Sequence, residues 1–220
     1  MKHSDLHCSY RRRSNRIFSD VTVRPGFDMD VRQFFFKNRS YTPIPLALAI
    51  IILADPGGPV TRMGLLLLLV GETLRLNGVH YAGGATRTRK VGAPQLCTDG
   101  PFAYVRNPLY LGNIILYVGV VLIAGGTFMW QLFGVTVTFF FLQYSFIISL
   151  EEQTLADKFG EEYRSYLAAV PRLLPRIVPW PGRYGISPAT WKKTFRTERR
   201  TLQMIAIYLL FIMVKTVISR

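Results

Sequence analysis

Arg106, Asn107 and Pro108, with Tyr104 and Tyr110 beside them, open one apolar run, and adjacent Glu151 and Glu152 close the next. A turn at Gly125-Gly126-Thr127 joins the two runs, so both polar junctions fall on the same side of one helical hairpin. Hydrocarbon tolerates such groups poorly, so a polar cluster where two apolar helices meet water marks a candidate site. Its groups suit a charged organic ligand. The planar fork of Arg106 can hold a carboxylate in two parallel bonds. The free amides at a helix start favour negative charge. Carboxylates can bind sugar hydroxyls or a cation, and the rings of Tyr104, Tyr110 and Tyr163 can attract a positive centre.

Each junction also has a purely structural reading. Proline suits the first helical position, and Asn107 before it suits an N-cap. Gly112 allows a close approach to that helix. Glu151 and Glu152, at the expected C-terminal end of their helix, oppose its dipole. They call for a partner: sugar hydroxyls, Arg106 or a cationic ligand. A solvated start to an amphipathic helix also accounts for them. A ligand with a carboxylate, hydroxyls and a positive centre would suit the two junctions together. S-adenosylmethionine carries these groups, but composition does not single it out.

The elements that must position these residues are helices. The hydrophobic pattern predicts helices over about 41–54, 60–81, 108–124 and 128–150, a helical but amphipathic continuation over 151–169, and a last helix over about 201–218. The first is short for a span of about 20 residues. Asp55-Pro-Gly-Gly-Pro59 is a turn, and Pro171, Pro175, Pro179 and Pro181 break regular structure beyond the amphipathic stretch. Leu155, Phe159, Tyr163 and Leu167 form one apolar stripe, and Glu72 and Arg75 share a helix face at i, i+3. The expectation is an all-α polytopic membrane protein with about five transmembrane or membrane-embedded helices and a cytoplasmic cofactor pocket. It comprises a basic, flexible leader over 1–40, a helical domain over 41–199 and a C-terminal membrane helix over 200–220.

Composition supports that class. Of the 220 residues, 50% are apolar, yet the net charge is +14. The two coexist because apolar runs such as Leu109–Ile123 and Leu202–Val214 carry no charge, while Lys and Arg cluster between and outside them. A nucleic-acid binder would share the basic pI but would not need these runs, and none is expected. Cys8 and Cys97 lack metal-ligand spacing, and no metal is expected. The basic leader (Arg11, Arg12, Arg13, Arg16) lacks the apolar stretch of a secretory signal. It reads either as a disordered arm or as one attracted to anionic lipid headgroups. Basic residues fill the leader, the 82–106 connector and the region after Leu150, whereas both short turns carry none. The positive-inside rule therefore puts the N-terminus and the junctions in the cytoplasm. Lys215 and Arg220 run mildly against this.

The chain resembles the isoprenylcysteine carboxyl methyltransferase and phospholipid methyltransferase superfamily of membrane enzymes. The resemblance is carried by Gly100-Pro101, Tyr104, Arg106-Asn107-Pro108, Tyr110 and Gly112, then by Glu151-Glu152, Leu155, Phe159-Gly160, Tyr163, Tyr166 and Pro171-Arg172. It covers about 71–175, roughly half the chain. It implies an S-adenosylmethionine site formed or supported by Tyr104, Arg106, Asn107, Tyr110, Gly112, Glu151, Glu152 and Tyr163. It implies Arg172 as the group that holds an acidic part of a lipid-like or lipidated acceptor, with Glu152 as the second catalytic candidate. The acceptor would be an isoprenylcysteine-type carboxylate or a phospholipid amine. The isoprenylcysteine branch usually carries His where this chain has Asn107. Asparagine cannot act as an acid or base near pH 7, so that position is structural or hydrogen-bonding here. Two alternatives stay open: a membrane reductase of related architecture using NADPH, and a non-catalytic protein that binds anionic lipid.

Overall fold

The computed structural model describes residues 30–83, 91–93, 95–182, 185 and 187–218. Residues 1–29 of the leader expected over 1–40, and Arg87, Arg89 and Lys90 of the connector, lie outside the described residues. Seven α-helices make up the described chain: α1 Val31–Asn38, α2 Ile44–Ile52, α3 Val60–Ala82, α4 Pro108–Ala124, α5 Met129–Phe159, α6 Glu161–Ala169 and α7 Trp191–Ile218. A 3₁₀ turn, Gly100–Ala103, precedes α4. Among the described residues there is no sheet, only an isolated bridge between Asp55 and Gly125. The chain is all-helical, as expected.

Glycines set the central pair of helices. A Cβ on Gly64 would meet Gly119 O at 2.7 Å, and one on Gly71 would meet Leu116 N at 2.7 Å and Gly112 O at 2.8 Å. These glycines let α3 and α4 pack antiparallel with their backbones nearly touching, an arrangement that small residues make possible. α5 folds back along α4, with Tyr117 against Phe140 and Tyr110 stacked on Tyr144 at centroid separations of 4.5 Å. The core runs between α4 and α5 through Val121, Phe140, Ile147 and Ile148.

Three elements differ from the sequence expectation. Residues 31–38, assigned to the flexible leader, form α1, whose buried Phe36 and stacked Phe35–Phe146 pair bind it to α5. An amphipathic aromatic turn gains more from packing than it loses in chain entropy. The helical continuation expected over 151–169 is present but broken once: α5 continues to Phe159, where Gly160 at φ +57° stops it, and α6 restarts at Glu161. α7 starts about ten residues earlier than expected, because its basic first turns are anchored to α3: Glu198 pairs with Arg75 at 2.6 Å. Among the described residues two helices, α5 and α7, are long and apolar enough to cross a membrane, where about five were expected to cross it or be embedded in it. α2 has nine residues, about 14 Å of helix. α4 has 17, and α3 carries Arg62, Glu72 and Arg75.

α7 runs antiparallel to α3. His80 meets Thr194 (Nδ1 to Oγ1 3.1 Å) at the end where α4 begins. At the far end, Lys215 donates to the carbonyls of Ile51 (3.3 Å) and Ile52, the last residues of α2. A cation satisfying the free carbonyls of a helix C-terminus explains why a basic residue sits at the end with few others.

Candidate functional site

The polar junctions meet at the α4 N-terminus. Arg106 lies between the 3₁₀ turn and α4, where its N–H donates to Pro171 O at 2.9 Å. That bond brings the segment after α6 back over the start of α4. Arg106 Nη1 reaches Glu152 Oε1 at 2.6 Å. Arg172 closes on the same carboxylate from the other side, with Nη2 2.5 Å and Nε 3.1 Å from Oε2. Glu152 thus holds two guanidinium groups. The Arg106 and Glu152 side chains are each 9% exposed, whereas that of Arg172 is 54% exposed, so Arg172 is the outward-facing member.

Glu151, one residue earlier, points elsewhere and accepts from the Tyr110 hydroxyl at 2.9 Å. Tyr110 stacks on Tyr144, whose hydroxyl accepts from Asn113 Nδ2 at 2.9 Å. Asn113 in turn accepts from Arg75, which pairs with Glu198 and, at 3.5 Å, with Glu72. A polar chain therefore runs from α7 through α3 and α4 to Glu151. Tyr163 on α6 is buried beside the Arg106–Glu152 pair. Burial first, and the Glu152 charge second, push its hydroxyl up to about 12, so it is a neutral donor at physiological pH.

The structure brings together Arg106, Glu152, Tyr163 and Arg172, and pairs Tyr110 with Glu151 on the neighbouring face of α5. Asn107 holds the cap position without the side-chain bond expected of it; its Nδ2 instead donates to Arg172 O at 3.1 Å, which orients the amide toward the returning segment. Tyr104 is joined through its backbone alone, its carbonyl accepting from Arg176 N at 2.9 Å. Gly112 faces α3, with Gly71 O 2.9 Å from where its Cβ would be, so what approaches there is a helix and the Arg75 side chain. The dipole argument for Glu151 and Glu152 also needs correction. α5 runs two further turns beyond them, so they are not at its C-terminal end. What offsets their charge is the arginine pair at Glu152 and the tyrosine hydroxyl at Glu151.

Sequence reasoning missed Arg39, which acts electrostatically on Glu151 and Tyr110 from the turn after α1. It also missed Asn113 and Glu198. The Phe34–Phe36 run just before Arg39 was the available signal, since aromatic packing there fixes where Arg39 lies. Among the described residues no group of three or more His, Cys, Asp or Glu is placed to hold a metal.

Fold and site together define an all-helical protein with a buried arginine–carboxylate centre between the start of α4 and the later turns of α5. Residues 60–162 match the phospholipid methyltransferase family model. Protein-S-isoprenylcysteine O-methyltransferase of Schizosaccharomyces pombe is 32% identical over 114 residues, 50% of this chain and 47% of that protein. The Mus musculus protein of the same name is 31% identical over 122 residues, 54% of this chain and 42% of its own. Methanethiol S-methyltransferase 1 of Bradyrhizobium diazoefficiens is 31% identical over 100 residues, 46% of this chain and 33% of its own. These matches, each over about half of the chain, support a kinship with the isoprenylcysteine and phospholipid methyltransferase superfamily. The matches span about half or less of the length of these relatives. Their being methyltransferases supports an enzyme here. No solved structure matches.

Proposed function

We propose that this chain is an integral membrane methyltransferase that uses S-adenosylmethionine and methylates a membrane-embedded, lipid-like or lipidated acceptor, with its N-terminus and site in the cytoplasm. The observation that carries the proposal is Glu152 held between Arg106 and Arg172 and buried with Arg106 beside Tyr163. The donor set fits the cofactor. Arg106 Nε is buried with no hydrogen-bond partner and suits a carboxylate, the glutamates suit an amino group or ribose hydroxyls, and Tyr110 and Tyr163 offer aromatic faces. Gly112 and Tyr104 would support this site through packing and backbone, and Asn107 by holding the Arg172 segment.

When bound, the cofactor supplies a methyl group on a sulfonium for in-line displacement. The chain's own residues supply position and a dry site. Glu152 locks both guanidinium groups in place. Arg172, the exposed member, can leave one of its bonds to Glu152 and take an acidic group of the acceptor, such as a carboxylate or a phosphate. A carboxylate nucleophile needs no base. An ammonium must first lose a proton, a task open to Glu151 or Glu152. Asn107 cannot perform it, which is in keeping with its bond to Arg172 O. The basic residues on the loops and helix ends near the site, among them Lys158, Arg164, Arg172 and Arg176, support a cytoplasmic placement.

The test is incubation of purified protein with labelled S-adenosylmethionine and total membrane lipid, followed by identification of the labelled product. A labelled amphiphile is the expected result. Binding of NADPH in place of S-adenosylmethionine would overturn the proposal.

A further inference from the structure

The segment after Arg172 has an unusual surface. Leu174, Ile177 and Val178 are 79%, 96% and 64% exposed. This exposure is built into the backbone. Arg106 N donates to Pro171 O, Arg176 N to Tyr104 O and Trp180 N to Ala103 O, each at 2.9 Å, so the segment is pinned to the start of α4 at three points. Pro171, Pro175 and Pro179 fix φ along it and remove three donors. Trp180 packs on Tyr166 at 5.2 Å and anchors the far end. Leu173 points into the core, while its neighbour Leu174 points out. The result is a fixed ridge of three aliphatic side chains beside the outward-facing member of the site.

We infer that this ridge inserts into the headgroup–acyl boundary of an anionic bilayer and so brings the membrane surface to Arg172. The inference rests on the membrane methyltransferase reading. Three aliphatic side chains are too few for the ~800 Å² per partner of a stable protein interface, but they suffice for interfacial insertion. The charges around them match anionic headgroups. Arg172 and Arg176 alternate with the aliphatics, and α7 begins at the same end of the bundle with Lys192, Lys193, Arg196, Arg199 and Arg200. From Leu202 to Val214 α7 is uncharged, with Met204, Ile207, Leu210 and Phe211 exposed, so its basic first turns lie on the same side of this apolar stretch as the ridge. An acceptor whose reacting group lies at headgroup depth then reaches Arg172 without leaving the bilayer.

The test uses the full chain with Cys8→Ser and Cys97→Ser, carrying an environment-sensitive dye on a single cysteine at Ile177→Cys. The protein is reconstituted in phosphatidylcholine–phosphatidylglycerol vesicles. Phe211→Cys serves as the embedded reference and Glu162→Cys as the aqueous one. The expected result at 177 is blue-shifted emission, quenched by acyl-brominated lipid and protected from iodide. Emission and iodide quenching like those at 162 would overturn the inference. So would an apolar environment that brominated lipid does not quench, since that means protein contact. A Leu174→Ser, Ile177→Ser, Val178→Ser variant should bind S-adenosylmethionine normally, yet methylate a bilayer acceptor about tenfold or more slowly, the loss expected from one aliphatic burial. Unchanged turnover in that variant would likewise overturn it. Insertion of position 177 in a chain that binds no S-adenosylmethionine would sink the methyl-transfer reading alone.

Discussion

Glu152 Oε1 lies 2.6 Å from Arg106 Nη1 although 46 residues separate them, and both side chains are nearly buried. A buried charge needs its partner, because removing one leaves the other desolvated and unpaired at a cost of ~3–5 kcal/mol. The second guanidinium on the same carboxylate, from Arg172, is half exposed and so adds less to stability. One residue therefore ties a structural pair to a group free to act.

Glu152→Ala is expected to lower unfolding stability by about 3–5 kcal/mol, read as a fall in melting temperature in detergent. Glu152→Gln keeps the shape, and in Arg106→Ala the Arg172 guanidinium still pairs with Glu152, so both should fold yet lose S-adenosylmethionine binding in calorimetry. Wild-type affinity in both would remove this pair from the site.

Arg172→Ala is expected to bind S-adenosylmethionine like the wild type while turnover falls by about a hundredfold, the scale of a misplaced reacting group. Full activity would show that Arg172 holds nothing in the reaction.

Arg75→Ala leaves the carboxylates of Glu72 and Glu198 facing each other across the α3–α7 interface without their shared cation. Limited proteolysis should then cut near the start of α7, with a stability loss of ~3–5 kcal/mol. Unaltered proteolysis would mean that α7 is held by other contacts.

Gly64→Ala places a Cβ 2.7 Å from Gly119 O and 2.8 Å from Ile123 N, so α3 and α4 must separate, at a cost of about 1–3 kcal/mol. Gly134→Ala, with nothing within 4 Å of its Cβ, should instead stabilise α5 by roughly 0.5–1 kcal/mol. Melting temperatures that move in the same direction would contradict the packing described here.

Cys97 offers a pH-dependent check. Burial, the dominant cause, pushes its thiol up from 9.0 to about 11. In a Cys8→Ser chain, alkylation at neutral pH should be slow and should quicken as pH rises toward that value, since the thiolate is the nucleophile. The folded value lies above the unfolded one, so this group's contribution to stability is complete below about pH 9 and is lost as pH rises through 11. Rapid labelling at neutral pH would show the thiol to be exposed.

Much of this was legible from residue type and spacing. Apolar runs, glycine–proline turns and Pro108 at a helix start are local signals, and they located α3 and α4 almost to the residue. The polar residues at the ends of two apolar runs were legible for the same reason: a costly placement stands out against its surroundings. That the helix breaks at Phe159 was not, because helix termination there depends on Gly160 and on the packing of Leu155 and Phe159 against Tyr163 and Tyr166. Nor did residues 31–39 reveal that they fold, since their stability comes from contacts with α5 more than a hundred residues away. Spacing could place Glu152 near Arg106, but the choice among sugar, cation and arginine as its partner was made by the return of the chain at Pro171. That return sets Arg172 on the same carboxylate, turns the Asn107 amide from a capping bond to a brace, and leaves Gly112 to the helix behind it. Local chemistry thus decided which residues could act, and long-range packing decided which of them meet, because the energy of a buried ion pair depends on distances that sequence spacing does not fix.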